Sequence, residues 1–132
     1  MHRLRLPGDV VSVVGAWTLV SYLDVDESGR TRGGPLGEDP YGLLIYSPTG
    51  HVSVSMMSSR DGPEAERYMG YAGRWRLDGG CVIHDVLVSS HPHLAGTRQV
   101  RDVVLDDDRL TLAGVSLLGG RPQRRVLTWR RV

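Results

Sequence analysis

Three strongly polar side chains stand inside alternating apolar runs of this sequence: His84 in "CVIHDVLV", and Gln99 and Arg101 in "TRQVRDVVLD". Alternate residues of an extended chain share a face. His84 then joins Val82, Val86 and Val88, with Asp85 opposite; Arg101 joins Thr97, Gln99, Val103 and Leu105. Arg98, Asp102 and Asp106 crowd the other, wet face of that second run. A guanidinium on a dry face is costly unless a carboxylate, carbonyls, water or a ligand meets it. No Asp or Glu falls on an inward face in this register. Arg101 and Gln99 can hold a carbonyl oxygen and stabilise developing enolate charge. His84 or a tyrosine, Tyr71 above all, can move a proton. His84, Arg101 and Tyr71 are therefore the catalytic candidates. The plainer alternatives stay open: a hydrogen-bonded structural histidine and a structurally paired arginine.

Further alternation proposes the walls. "HVSVSMMS" sends Val52, Val54 and Met56 to one side. "RYMGYAGRWRLDGG" sends Tyr71, Gly73, Trp75 and Leu77 together, and "LTWRRV" carries Trp129 and Arg131 on the face of Leu127. "GLLIYS" is apolar on both faces; Tyr46 is placed inward with Leu44. Tyr46, Val54, Met56, Trp75, Gln99 and Trp129 are the ligand-binding candidates, although buried tyrosines are also ordinary core residues with a satisfied hydroxyl. In "VVGAWTLVSY", Trp17, Leu19 and Ser21 share one face and Thr18, Val20 and Tyr22 the other.

Other chemistries have little support. His91 and His93 in "SHPH" lack a metal-ligand spacing, so no metal is expected. Cys81 opens a run with no evident activator. No Gly-rich phosphate loop, nucleophile elbow or paired-Cys zinc motif is present, and no cofactor is expected.

These residues need a scaffold. The chain has 132 residues, 40% of them apolar and 23% charged, which suits one globular domain over 1–132 with a leader at 1–12 and a barrel at about 15–131. All 16 basic residues are arginine, and the net charge of +1 gives no footprint for nucleic acid. A single Cys excludes an internal disulfide and fits a reducing cytoplasm. No apolar run is long enough to span a membrane, and the first residues have no signal-peptide core. The period of two, punctuated by "SPTG", "LDGG", "LDDD" and "LGGRP", predicts eight strands near 16–26, 42–47, 51–58, 71–77, 81–89, 97–105, 109–115 and 125–131. "PEAERYM" at 63–69 reads as one short helix or lid, and 26–40 as a long Gly/Pro/charge loop. Eight antiparallel strands close up-and-down into an all-β barrel, which removes unpaired edges and leaves room for side chains or one small ligand.

Gly15-x-Trp17 near the start and "LTWRRV" at the end sharpen this picture. Together with "YGLLIYSPTGHVSV", "YAGRW" and "GTRQVRDVVLDDDRLTL", they resemble the bacterial and fungal lipocalin-like domain family, relatives of the calycins. The resemblance covers about 15–131. It implies a small-molecule-binding barrel whose closed end holds the Trp17 indole under the Arg131 guanidinium, a cation–π pair. It implies no single activity. Two functions fit the walls. One is a cofactor-free cyclase or isomerase acting on a polyketide- or terpenoid-like carbonyl compound, with the cavity lowering the entropic barrier. The other is a carrier or sequestering protein for an apolar ligand. The expected partner is a hydrophobic small molecule, not nucleic acid or membrane, with a homodimer left open.

Overall fold

Valine-rich alternating runs fold as strands because β-branched and aromatic side chains pack well on a pleated surface. The computed structural model describes residues 12–58, 67–118 and 121–132. Its strands are β1 (Gly15–Val25), β2 (Thr31–Gly33), β3 (Pro40–Tyr46), β4 (His51–Ser58), β5 (Tyr68–Asp78), β6 (Cys81–Ser89), β7 (Arg98–Asp106), β8 (Arg109–Leu118) and β9 (Arg121–Arg131). Each pairs antiparallel with its neighbour in the order β2-β1-β3-β4-β5-β6-β7-β8-β9. β1 also pairs with β9, Trp17 opposite Arg131 and Val25 opposite Arg124, so eight strands close into a barrel. β2 is the small addition: it lies in the expected 26–40 loop and pairs with the end of β1.

The tight turns at 47–50, 79–80 and 107–108 gather at one end of the barrel. The longer connections at 26–39 and 90–97 gather at the other. Residues 26–39 pack down on the second end: Leu36 is buried in the core and Gly34 N–H donates to the Tyr22 carbonyl. A 3-10 turn, Pro92–Leu94, sits at the same end as a minor lid.

The expected helix at 63–69 is corrected at its end. Tyr68 and Met69 already belong to β5, paired with Met57 and Met56 of β4. Cross-strand pairing there overrides the helix-forming composition of the segment. Residues 63–66 lie outside the described residues.

The turn-rich end is shut by side chains. Trp17 is fully buried and its indole N–H donates to the Val13 carbonyl at 2.9 Å. The Arg131 guanidinium carbon lies 4.2 Å from the Trp17 ring centroid. Its Nη1 and Nη2 donate to the carbonyls of Val14 and Ser12 at 3.0 and 2.7 Å. Gly15 has φ +136, and a Cβ there would meet Arg131 Nη1 at 3.1 Å. The glycine of the Gly-x-Trp motif thus supplies both the backbone conformation and the space for the arginine.

Two irregularities correct the expected faces. The β1–β9 register shifts between Leu19 and Ser21, so one extra residue enters β1. Beyond that bulge the faces exchange. Tyr22, assigned outward by alternation, is buried, and Ser21 leaves the inward row. A second shift lies between Ala72 and Gly73, where Ala72 pairs with Val88 and Gly73 with Val86. Val88 is consequently 62% exposed instead of sharing the His84 face. Leu77, at the end of β5, is exposed as well. The rest of the inward row follows the pattern: Leu44, Tyr46, Val52, Val54, Met56, Tyr71, Val82, His84, Val86, Leu127 and Trp129 are buried.

Candidate functional site

β6 carries His84 into the middle of the barrel because Val82 and Val86 on the same face are pulled into the core. The imidazole is 1% exposed. It is held from both sides: Tyr46 Oη from β3 lies 2.7 Å from Nε2, and Tyr71 Oη from β5 lies 2.5 Å from Nδ1. Tyr46 also meets Trp75 edge-on, with centroids 5.0 Å apart. Burial, reinforced by the charge of Arg101, pushes His84 down to about 3. Burial pushes the Tyr71 phenol up to about 12, against the pull of Arg101, and drives Tyr46 upward too. All three groups are therefore neutral near pH 7.

β7 carries Arg101 toward the interior beside Gln99. Nη2 donates to Gln99 Oε1 at 3.1 Å and Nη1 to the Val100 carbonyl at 2.9 Å. Gln99 Nε2 donates in turn to Thr97 Oγ1, and Thr97 Oγ1 to the Leu94 carbonyl in the 3-10 turn. Among the described residues no carboxylate pairs with Arg101; the neighbouring Arg125 is paired with Asp24 at 3.2 Å. Space for Arg101 comes from β8. A Cβ on Gly114 would lie 2.8 Å from Arg101 Cδ and 3.0 Å from Nη1.

Two chambers meet at this arginine. The outer one, about 530 Å³, opens between the long connections and is lined by Tyr22, Leu36, Met69, Leu94, Gln99 and Arg101 among others. The inner one, about 40 Å³, is lined by Tyr71, His84, Arg101, Val54, Met56 and Trp129 together with further apolar residues. Tyr22, Met69, Arg101 and Leu127 belong to both walls. The Trp129 indole N–H is buried and has no hydrogen-bond partner among the described residues.

Of the residues singled out in the sequence, Tyr71, His84, Arg101, Val54, Met56 and Trp129 come together around the inner chamber, and Gln99 faces the outer one. Tyr46 and Trp75 stand one layer behind: Tyr46 holds His84, and the Trp75 indole donates to the Ser47 carbonyl. His91 and His93 line the mouth, apart from His84, with ring centroids 5.8 Å apart. No group of three His, Cys, Asp or Glu side chains is placed to hold a metal among the described residues. Cys81 donates to Asp102 Oδ1, which raises its thiol. Tyr22 and Gly114 escaped sequence reasoning. A bulge hides the first, and a residue without a side chain offers no pattern to find the second.

A closed antiparallel barrel, sealed at one end by a Trp–Arg pair and open at the other into a chamber with a few convergent polar groups, defines a small-molecule-binding β-barrel. The chain belongs to the lipocalin-like domain family, whose model matches residues 14–132. It is also similar to the 4'-hydroxy-3'-methoxypropiophenone carrier protein ppsC of Aspergillus oryzae. The two are 36% identical over 75 residues, covering 49% of this chain and 68% of the relative. No helix among the described residues is long and apolar enough to cross a membrane.

Proposed function

We propose that this protein binds and carries an apolar, carbonyl-containing small molecule, with the aromatic body in the outer chamber and an oxygen directed at Arg101. The observation that carries this reading is the half-buried guanidinium between the two chambers, with no described carboxylate to neutralise it. A ligand oxygen supplies the missing partner at little cost to the fold. The similarity to a carrier of an aryl ketone supports the ligand class. The titration of the site favours carriage over acid–base chemistry. A histidine held near 3 is a feeble base at neutral pH, and a phenol near 12 a feeble acid.

A second reading, a cofactor-free cyclase or isomerase of secondary metabolism, is supported by the same donors. Hydrogen bonds to a carbonyl oxygen also stabilise an enolate. Titration of 4'-hydroxy-3'-methoxypropiophenone followed by tryptophan fluorescence tests binding, and mass spectrometry of the recovered ligand separates the readings. An unchanged ligand means carriage; a rearranged one means catalysis. Arg101→Met should weaken binding by about 1.5–3 kcal/mol, the range for a hydrogen bond to a charged group, or roughly ten- to hundredfold. Equal affinity of variant and wild type would remove Arg101 from the site.

A further inference from the structure

We infer that the inner chamber is a donor-rich pocket that takes the carbonyl oxygen of the ligand through the Trp129 indole N–H and the Tyr71 hydroxyl, and so fixes which end of the molecule enters first. This rests on the carrier reading above and adds the orientation and the chemical group recognised.

Tyr46 fixes the tautomer of His84. Its hydroxyl touches His84 Nε2 at 2.7 Å, the residue is 1% exposed, and it lines neither chamber. A neutral imidazole has one N–H and one bare nitrogen, so one tyrosine donates to His84 and the other accepts from it. Were Nε2 protonated, Tyr46 would accept, and its own proton would be buried with no acceptor among the described residues, which is unfavourable. The arrangement that satisfies every group has Tyr46 donating to Nε2 and Nδ1–H donating to Tyr71. The Tyr71 proton is then free, and Tyr71 does line the inner chamber.

Two further polar groups of the lining agree. Trp129 and Arg101 are donors by chemistry and can never accept. Trp129 is 1% exposed, lines the chamber and has no hydrogen-bond partner among the described residues. The described lining offers no carboxylate, amide oxygen or other obligate acceptor. About 40 Å³ is room for a single small group such as a carbonyl. A phenol hydroxyl placed there meets no obligate acceptor and could give its proton only to the oxygen of Tyr71 or Tyr22. A ketone oxygen accepts from two or three of these donors and brings no proton of its own.

Two measurements test this. In the ligand-free protein, nitrogen-15 NMR of the His84 ring should show Nδ1 protonated and Nε2 bare; the reverse tautomer overturns the inference. In the second, proton–nitrogen spectra follow the indole N–H signals of the three tryptophans. Trp17 and Trp75 already donate to the carbonyls of Val13 and Ser47 and serve as internal references. On adding 4'-hydroxy-3'-methoxypropiophenone, the Trp129 N–H proton should move downfield while the other two stay. The same molecule with its ketone replaced by a methylene should bind at least about tenfold more weakly, because it leaves the donors unpaired. The analogue lacking only the phenol hydroxyl should lose less. Equal binding of ketone and methylene compounds, with no movement of the Trp129 signal, refutes carbonyl recognition in this chamber and leaves carriage standing. If neither compound binds, the carrier reading for this ligand class falls, and the inference with it.

Discussion

Acid should unfold this protein through a single buried histidine. In the folded state His84 titrates at about 3, against 6.5 for an ordinary imidazole. Between these values the unfolded chain carries a proton at this position that the folded one does not. Stability must therefore fall as pH falls through this window, and His84 has no effect on the slope above it. The limiting slope for one proton is about 1.4 kcal/mol per pH unit. From neutrality to pH 5 the loss from this residue amounts to about 2 kcal/mol, a large share of the margin of a small domain. His84→Gln removes the titration while keeping a polar side chain. Urea unfolding of both proteins at a series of pH values between 7.5 and 5 isolates the effect, since the other four histidines are common to both and cancel. The stability difference between wild type and variant should be flat above about pH 7 and shrink in favour of the variant below about 6. Parallel curves across the range would show that the imidazole is hydrated or charged in the fold, and the neutral tyrosine–histidine–tyrosine arrangement would be wrong.

Other perturbations reach different parts of the molecule. Arg131→Ala should lower stability by about 1–3 kcal/mol in urea unfolding, through lost stacking on Trp17 and lost packing, with ligand preference unchanged; full stability would mean the cation–π contact contributes nothing. Gly114→Ala should displace the flexible Arg101 side chain more than the backbone. Ketone affinity should drop about tenfold, the loss of one charge-assisted hydrogen bond, with only a small change in Tm; unaltered affinity would show that the guanidinium position is irrelevant to binding. Spectrophotometric titration should find fewer than five ionised phenols at pH 11 in the folded protein, because burial raises Tyr22, Tyr46 and Tyr71; the full tyrosinate signal there, before unfolding, would contradict their burial.

Alternation told most of the barrel's inside from its outside, because one dry face per strand leaves a period-two record. Val54 and Met56, and Gln99 with Arg101, could be placed that way, whereas the run of Leu44 and Tyr46 is apolar on both faces and leaves no such record. His84 was legible for the same reason, as a polar interruption of a valine row. What failed were the positions where one strand holds an extra residue. The bulge after Leu19 turns Tyr22 inward, and the shift beside Gly73 turns Val88 outward. Neither is written in its own strand, because a bulge depends on what the partner strand offers. Residues 68 and 69 read as helix formers until their pairing with β4 is known. The tyrosines that clamp His84 come from β3 and β5, 38 and 13 residues away in sequence. No spacing rule connects them; only the closed sheet does.

The seam between β1 and β9 has a consequence for how the molecule is made. Residues near position 17 find their partners near position 131, so the hydrogen-bonded ring is joined by contacts of the greatest sequence separation in the chain. Such contacts carry a large loop-closure cost and form late, and a topology dominated by them folds slowly. Until residues 121–131 have been synthesised and have docked, β1 and β8 each present an unpaired edge, and the apolar row that will become the cavity wall faces solvent. A chain stalled or truncated at that point is an open, curved sheet with two adhesive rims, poised to pair with another like it. The last strand is thus the step that turns an aggregation-prone ribbon into a vessel, and the yield of the protein in a cell should depend on how promptly that strand arrives.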